Sequence, residues 1–184
     1  MAEITLTAAP VLGADLSLGE NRIVERADLA LISVATPLGG SVTEALSAAW
    51  NLPMPEPTRS TAAGDMRAVQ TGADQMLLVF PFADQGAEAH VQNALSGAGY
   101  TTEQTGAWVV LEVSGPQTMA ALARLCPLDL DASVFPEGAA ARTVMEHMGA
   151  VIIRLGTDRF WLLSASSSAA SFLHAVELSY RNVM

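Results

Sequence analysis

Lysine is absent from the 184 residues, and the nine basic side chains are all arginine. Arginine is weakly hydrated and makes planar, two-pronged contacts, so it suits partly buried ion pairs and interfaces better than lysine does; codon bias in a GC-rich genome would leave the same composition. Charge is scarce as a whole, at 15% of residues, and sums to −10. Clustered basic residues are what hold a phosphate backbone, so no nucleic-acid partner is expected. A lone cysteine, Cys126, excludes an internal disulfide and agrees with a reducing compartment. The apolar runs are strand-length, far short of the roughly 20 residues of a membrane helix. The first residues carry Glu3 and no basic stretch, unlike a secretory signal. The expectation is a cytoplasmic protein with no membrane partner.

Catalytic signatures are also missing. His90, His147 and His174 stand singly, with no second ligand three or four residues away, so no metal site is expected. Cys126 falls on an apolar helix stripe with Arg124 as its charged neighbour in sequence, the setting of an inert packing thiol. Ser164, Ser166, Ser167 and Ser168 form a serine-rich corner that suits an anion or, more simply, a helix cap. Gly39-Gly40 and the glycines at 97 and 99 lack the spacing of a phosphate loop. No catalytic, cofactor-binding or metal-ligating residue is expected on this chain.

What is present is a core. Apolar residues make up 51% of the chain, and a chain of this length buries roughly 70% of the surface its unfolded form exposes. The organising stretch is 108–130, WVVLEVSGPQTMAALARLCPLDL. Val109, Leu111 and Val113 alternate with Trp108, Val110 and Glu112, which predicts a strand with one well-buried face. Ser114 and Gln117 then read as a capping box around Pro116; Met119, Leu122, Ala123 and Cys126 form one helical stripe, closed by Pro127.

Elsewhere the patterning predicts strands over 29–34, 66–69, 75–80, 142–148, 150–155 and 160–164, with an edge strand over 100–104. Helices are predicted after a second capping box at Ser41 and Glu44, running to Trp50, then after Pro81 and Asp84 with Ala87, Val91, Ala94 and Leu95 on one face and Gly97 at the end, and from about 168 to 180 with Ala169, Phe172, Leu173, Val176 and Tyr180 inward. Three prolines within 53–57 make an extended connector. Gly72-Ala-Asp74 aligns with Gly156-Thr-Asp158, each a hairpin turn before a hydrophobic strand and a helix, and the two capping boxes align as well. The fold class expected is α+β: two fused, duplicated split β-α-β units with mostly antiparallel sheets. The expected division is an irregular N-terminal arm over 1–24, a first repeat over 25–105 and a second over 106–184.

Several segments resemble the γ subunits of heterotetrameric sarcosine oxidases: ERADLALISV from Glu25, ALSAAWNLPMP from Ala45, LEVSGPQTMAALARLCPLDLDASVFPEG from Leu111 and IIRLGTDRFWLLSASSSAASFL from Ile152. The most specific are Val113-Ser-Gly-Pro116 followed by Cys126-Pro-Leu-Asp129, and Arg154-Leu-Gly156 followed by Leu162-Leu163. One departure is a hairpin with Gln70 and Met76 where that family tends to be tryptophan-rich. The γ family is in turn similar to the aminomethyltransferase, or glycine-cleavage T-protein, superfamily of folate-binding folds.

The resemblance implies an αβγδ complex that oxidises sarcosine to glycine, passes the one-carbon unit to tetrahydrofolate and releases hydrogen peroxide. FAD, FMN, NAD and tetrahydrofolate would be associated with the α and β flavoprotein subunits and zinc with a small δ subunit, none with this chain. Its implied role is structural, with the segment up to about Glu20 and the 53–57 connector lying against α or β. The alternatives are a γ subunit of an oxidase complex for a related N-methyl amine, and a free-standing folate-binding T-protein-like protein. A related regulator of iron–sulfur assembly carries a KGCYxGQE-like motif, which a lysine-free chain lacks.

Overall fold

The computed structural model describes residues 9–184. In chain order the elements are β1 (Asp15–Leu18), β2 (Asn21–Glu25), β3 (Leu29–Ala35), α1 (Thr43–Trp50), β4 (Ser60–Ala63), β5 (Met66–Gly72), β6 (Gln75–Pro81), α2 (Ala87–Leu95) and β7 (Tyr100–Glu103). They continue with β8 (Trp108–Ser114), α3 (Thr118–Ala123), β9 (Ala140–Met145), β10 (Met148–Gly156), β11 (Arg159–Ala165) and α4 (Ala169–Arg181). Every strand pair is antiparallel, in a five-stranded sheet of order β4-β5-β6-β3-β7 and a six-stranded sheet of order β1-β2-β8-β11-β10-β9.

The two sheets pack face to face. Leu31, Val69 and Val79 of the first meet Val110, Ile153 and Leu163 of the second in a shared apolar layer. On its outer face the first sheet carries α1 and α2 through Leu46, Val91 and Leu95. The second carries α3 and α4 through Leu122, Phe172, Val176 and Tyr180. Strand β8 is therefore covered on both faces: Val109, Leu111 and Val113 face the helices, while Val110 lies between the sheets. The period-two pattern gave the strand correctly but not its second buried face, because Glu112 interrupts that face in sequence.

The duplication is visible in the strand orders. Removing β1, the second sheet runs β9-β10-β11-β8-β2, the counterpart of β4-β5-β6-β3-β7. Both long hairpins shift register at the same place, between Gln70 and Gly72 and between Arg154 and Gly156. The fifth strand differs in origin: β7 follows its own repeat, whereas β2 reaches the second sheet from the other end of the chain. The outer strands of the two sheets also touch, with Ser60 N–H donating to Gly138 O at 2.7 Å and Ala140 N–H to Thr58 O at 3.0 Å.

Several expectations are corrected. Residues 15–24, expected as irregular arm, are mostly the strands β1 and β2. Ahead of them, the Glu25 carboxylate accepts the N–H groups of Val11 and Gly13 at 2.6 Å and of Leu12 at 2.9 Å, which ties this stretch down. The first eight residues of that arm lie outside the described residues. The connector ends in an unforeseen strand, β4, built from small residues with no hydrophobic period. The predicted strand over 142–148 breaks at Glu146 and His147, which both take positive φ, 45° and 69°, as a two-residue hairpin turn requires.

Neither capping box forms. Ser41 Oγ accepts from Thr43 N–H at 3.3 Å, with Val42 in the cap position of α1. At α3 the cap is distant in sequence: Asn21 Oδ1 accepts Gln117 N–H at 2.9 Å, and Asn21 Nδ2 donates to Gln117 Oε1 at 2.6 Å. Gly115 permits this approach, since at its φ of +120° a Cβ would lie 2.6 Å from Asn21 Cα. The inward face of α3 is consequently Thr118, Ala121 and Leu122, with Ala123 exposed and Met119 only partly buried. Asn21→Ala is expected to cost about 1–3 kcal/mol, the penalty for orphaning buried polar partners. A wild-type denaturation midpoint would show that this contact does not hold the helix start.

Candidate functional site

A strand of one packed sheet cannot send a carboxylate into the layer between the two sheets without partners, because an unpaired buried charge is costly. Glu112, on the face of β8 that also carries Val110, has three. Arg159 Nε donates to Oε1 at 2.7 Å; Arg26 Nη1 and Trp161 Nε1 donate to Oε2 at 2.7 and 2.9 Å. The register explains the convergence, since Trp161 of β11 lies directly opposite Glu112 and Val24 of β2 opposite on the other side. Arg26, just past β2, is held from the surface by Asp28 through two bonds of 2.8 Å.

The first sheet contributes Arg67 of β5. Its guanidinium lies 5.9 Å from the Trp161 ring centroid, and that of Arg26 lies 5.7 Å from the same ring. Arg67 Nη1 donates to Ser60 Oγ at 2.8 Å, and Ser60 Oγ in turn donates to Gly138 O at 3.0 Å. Arg26, Arg67, Arg159 and Trp161 line an open cleft of about 310 Å³ between the sheets, with exposed Asp65 also in its lining. Burial lowers the Arg67 guanidinium below its ordinary range; Glu137 opposes this and Arg159 adds to it.

Burial pushes the Glu112 carboxyl up, but the bonds from Arg159, Trp161 and Arg26 outweigh it and hold the group below the usual carboxylate range. Asp28 is likewise lowered, chiefly by its bond from Arg26. A carboxyl lowered in the fold contributes stability that is present above its unfolded value and lost as pH falls through its folded value. Stability is therefore expected to fall as pH drops from about 5 through and below the ordinary carboxylate range, and Glu112→Gln should flatten that slope. Denaturant midpoints across this range test it; equal slopes in both proteins would remove Glu112 from the account.

The other end of the inter-sheet layer gives an internal comparison. Ser33 lies opposite Leu77 there as Glu112 lies opposite Trp161, and Gln75 Nε2 donates to Ser33 Oγ at 3.1 Å as Arg159 does to Glu112. Val151 takes the place of Arg67. A neutral pair replaces the carboxylate and its arginine at that end, and the cation lining the cleft there, Arg142, comes from β9 opposite Val151 rather than from the strand equivalent to that of Arg67.

The residues weighed in the sequence are not gathered here. His90 packs against Phe80, Phe82 and Trp50 with ring centroids 5.7 to 6.4 Å away; His147 is in the β9–β10 turn and His174 is exposed on α4. Cys126 is buried, its Sγ 3.8 Å from Thr143 Oγ1. Ser164 and Ser166 donate to Gly149 O and Gly106 O at 3.0 and 2.9 Å, and Ser168 makes no side-chain cap. Among the described residues no group of three metal-ligating side chains occurs, and no helix is long and apolar enough to cross a membrane. The cleft itself was missed. Its signal was a single carboxylate inside the β-branched run of β8.

No known family profile matches the chain, and a search of curated proteins finds no match. Among solved structures, a chain of the heterotetrameric sarcosine oxidase from Corynebacterium sp. U-96, solved in complex with pyrrole 2-carboxylate, matches with a TM-score of 0.82 at 19% identity. That alignment covers 98% of this chain and 97% of that one. The glycine cleavage system aminomethyltransferase T from Bartonella henselae matches with a TM-score of 0.59 at 18% identity, over 84% of this chain and 44% of that chain. These likenesses establish the fold: an α+β, mostly antiparallel architecture, as the patterning predicted, and of the T-protein type, as the family resemblance implied.

Proposed function

We propose that this chain is a non-catalytic structural subunit, of the γ type, in a heterotetrameric αβγδ sarcosine oxidase complex. In this reading the complex demethylates sarcosine to glycine, transfers the one-carbon unit to tetrahydrofolate and produces hydrogen peroxide in the cytoplasm. FAD, FMN, NAD, tetrahydrofolate and zinc are held by the α, β and δ partners, and this chain keeps the large subunits in register. The observation that carries the reading is two-way coverage: 98% of this chain aligns with 97% of a sarcosine oxidase chain, whereas more than half of the aminomethyltransferase has no counterpart here.

Exposed Leu38, Tyr100 and Val134 support a surface that partners cover, as obligate interfaces are more apolar than free surfaces. The same reading divides the chain at 1–24, 25–105 and 106–184, with the first segment lending β1 and β2 to the second repeat's sheet, and puts the 53–57 connector against a large subunit. The test is a tagged pull-down from the native host at moderate salt, with an absorbance spectrum and mass spectrometry of the eluate. Yellow material containing two flavoprotein-sized chains and a small zinc-binding chain is the expected result, and oxygen uptake then separates sarcosine from related N-methyl amines. A colourless protein eluting alone would overturn the reading in favour of a free-standing folate-binding protein.

A further inference from the structure

Three guanidiniums, Arg26, Arg67 and Arg159, line the cleft, and two of them, Arg26 and Arg159, are paired with the carboxylate of Glu112. Glu112 is saturated, its two oxygens taken by Arg159, Arg26 and Trp161. Arg26 is further neutralised by Asp28. Among the described residues no carboxylate lies within ion-pair distance of Arg67, whose one hydrogen bond, through Nη1, goes to the neutral hydroxyl of Ser60. A guanidinium has five N–H donors, so most of this half-buried group is unspent. At the equivalent register position at the other end of the layer Val151 stands instead, and the arginine lining that cleft is Arg142 of the neighbouring strand β9.

We propose that this cleft is a binding site for a carboxylate monoanion, anchored by the free edge of the Arg67 guanidinium. A planar carboxylate matches the fork of an arginine in a two-pronged contact. Arg67 is the guanidinium left without an ion pair, and one carboxylate charge answers it; Glu137, which acts on Arg67 through space, and Asp65 in the cleft lining repel a phosphate dianion more than a monoanion. The volume of about 310 Å³ is at the lower end of small-ligand sites, the size of a small organic acid. A free acid and a carboxylate side chain from a partner protein present the same chemistry.

The probe is benzoate, titrated at low ionic strength into the full-length ¹⁵N-labelled chain, with chloride at matched ionic strength as control. Shifts of the Trp161 indole N–H and the Arg67 Nε–H are read. Saturable shifts are expected, weakened by about tenfold or more in R67Q, the loss of a charged hydrogen-bonding partner, and unchanged in R124Q, an exposed arginine outside the cleft. Because R67Q could disturb folding, D65N gives a second reading: removing a negative charge from the cleft lining should tighten binding by about two- to fivefold at low salt. No shift in the wild type, or R67Q and R124Q binding alike, would overturn the site. Repeating the titration on the chain in its native assembly identifies the source: exclusion of benzoate assigns a partner's carboxylate, and retained binding assigns a free acid. A chain recovered alone would sink the subunit reading and leave the R67Q result standing.

Discussion

Arg154→Ala is expected to lower the unfolding free energy by about 3–5 kcal/mol. Arg154 is 4% exposed, and its guanidinium is spent on backbone carbonyls. Nη1 donates to Leu130 O and Phe135 O, both at 2.9 Å, Nε to Gly156 O at 3.0 Å and Nη2 to Thr157 O at 2.7 Å, while the group lies 5.2 Å from the Phe160 ring centroid. These bonds pin the irregular segment between α3 and β9 to the β10–β11 turn. Bonds from a charged donor contribute about 1.5–3 kcal/mol each but are not additive within one side chain. In the first repeat Gln70 occupies the corresponding place and donates from Nε2 to Gly72 O and Ala73 O. Arg154→Gln can therefore restore the turn contacts but not those to Leu130 and Phe135, and its urea midpoint should fall between those of the wild type and Arg154→Ala. A wild-type midpoint for Arg154→Ala would mean that the segment is held by something else.

Leu122→Ala is expected to destabilise by about 2–5 kcal/mol, the range for large-to-small changes in a rigid core. Leu122 is 0% exposed and packs in the cluster that holds Leu111, Phe172 and Val176. The cavity cannot easily collapse, because α3 is fixed at both ends of its inner face: Ser179 Oγ donates to Ala121 O and Tyr180 OH to Thr118 Oγ1, both at 2.8 Å. Met119 is only partly buried, so Met119→Ala should cost less than Leu122→Ala. The reverse order by thermal or chemical denaturation would mean that α3 turns a different face inward.

How much of this was legible in the sequence follows from the range of the interactions. Hydrophobic alternation is local, so β3, β5, β6, β10 and β11 stand close to where the pattern put them, and the matched turns at Gly72 and Gly156 carry the same register shift. Caps are also local in a sequence reading, and both boxes failed because a better partner came from elsewhere: Asn21 reaches Gln117 across the whole first repeat. The strands β1, β2 and β4 were missed because each is short and its order comes from a neighbour rather than from its own side chains. The cleft was hidden for a related reason. Glu112 reads in isolation as the solvent side of an amphipathic strand, and only the pairing of β2, β8 and β11 brings Arg26, Arg159 and Trp161 to it and the approach of β5 brings Arg67 to the Trp161 ring.

The origin of β2 also sets the order in which the protein can assemble. The first sheet is built from a continuous stretch, β3 to β7, and can form as soon as that stretch exists. The second needs a strand made before β3 and another made after β7, so its β2–β8 pairing closes a loop that contains the entire first repeat. Closing so long a loop from an unfolded chain costs more entropy and is slow. Once the first repeat has folded, however, the chain entering β3 and the chain leaving β7 emerge from neighbouring strands of one compact body, and the effective loop is short. The first repeat is thus the clasp for the second, and a lesion that slows its folding delays a sheet it does not belong to.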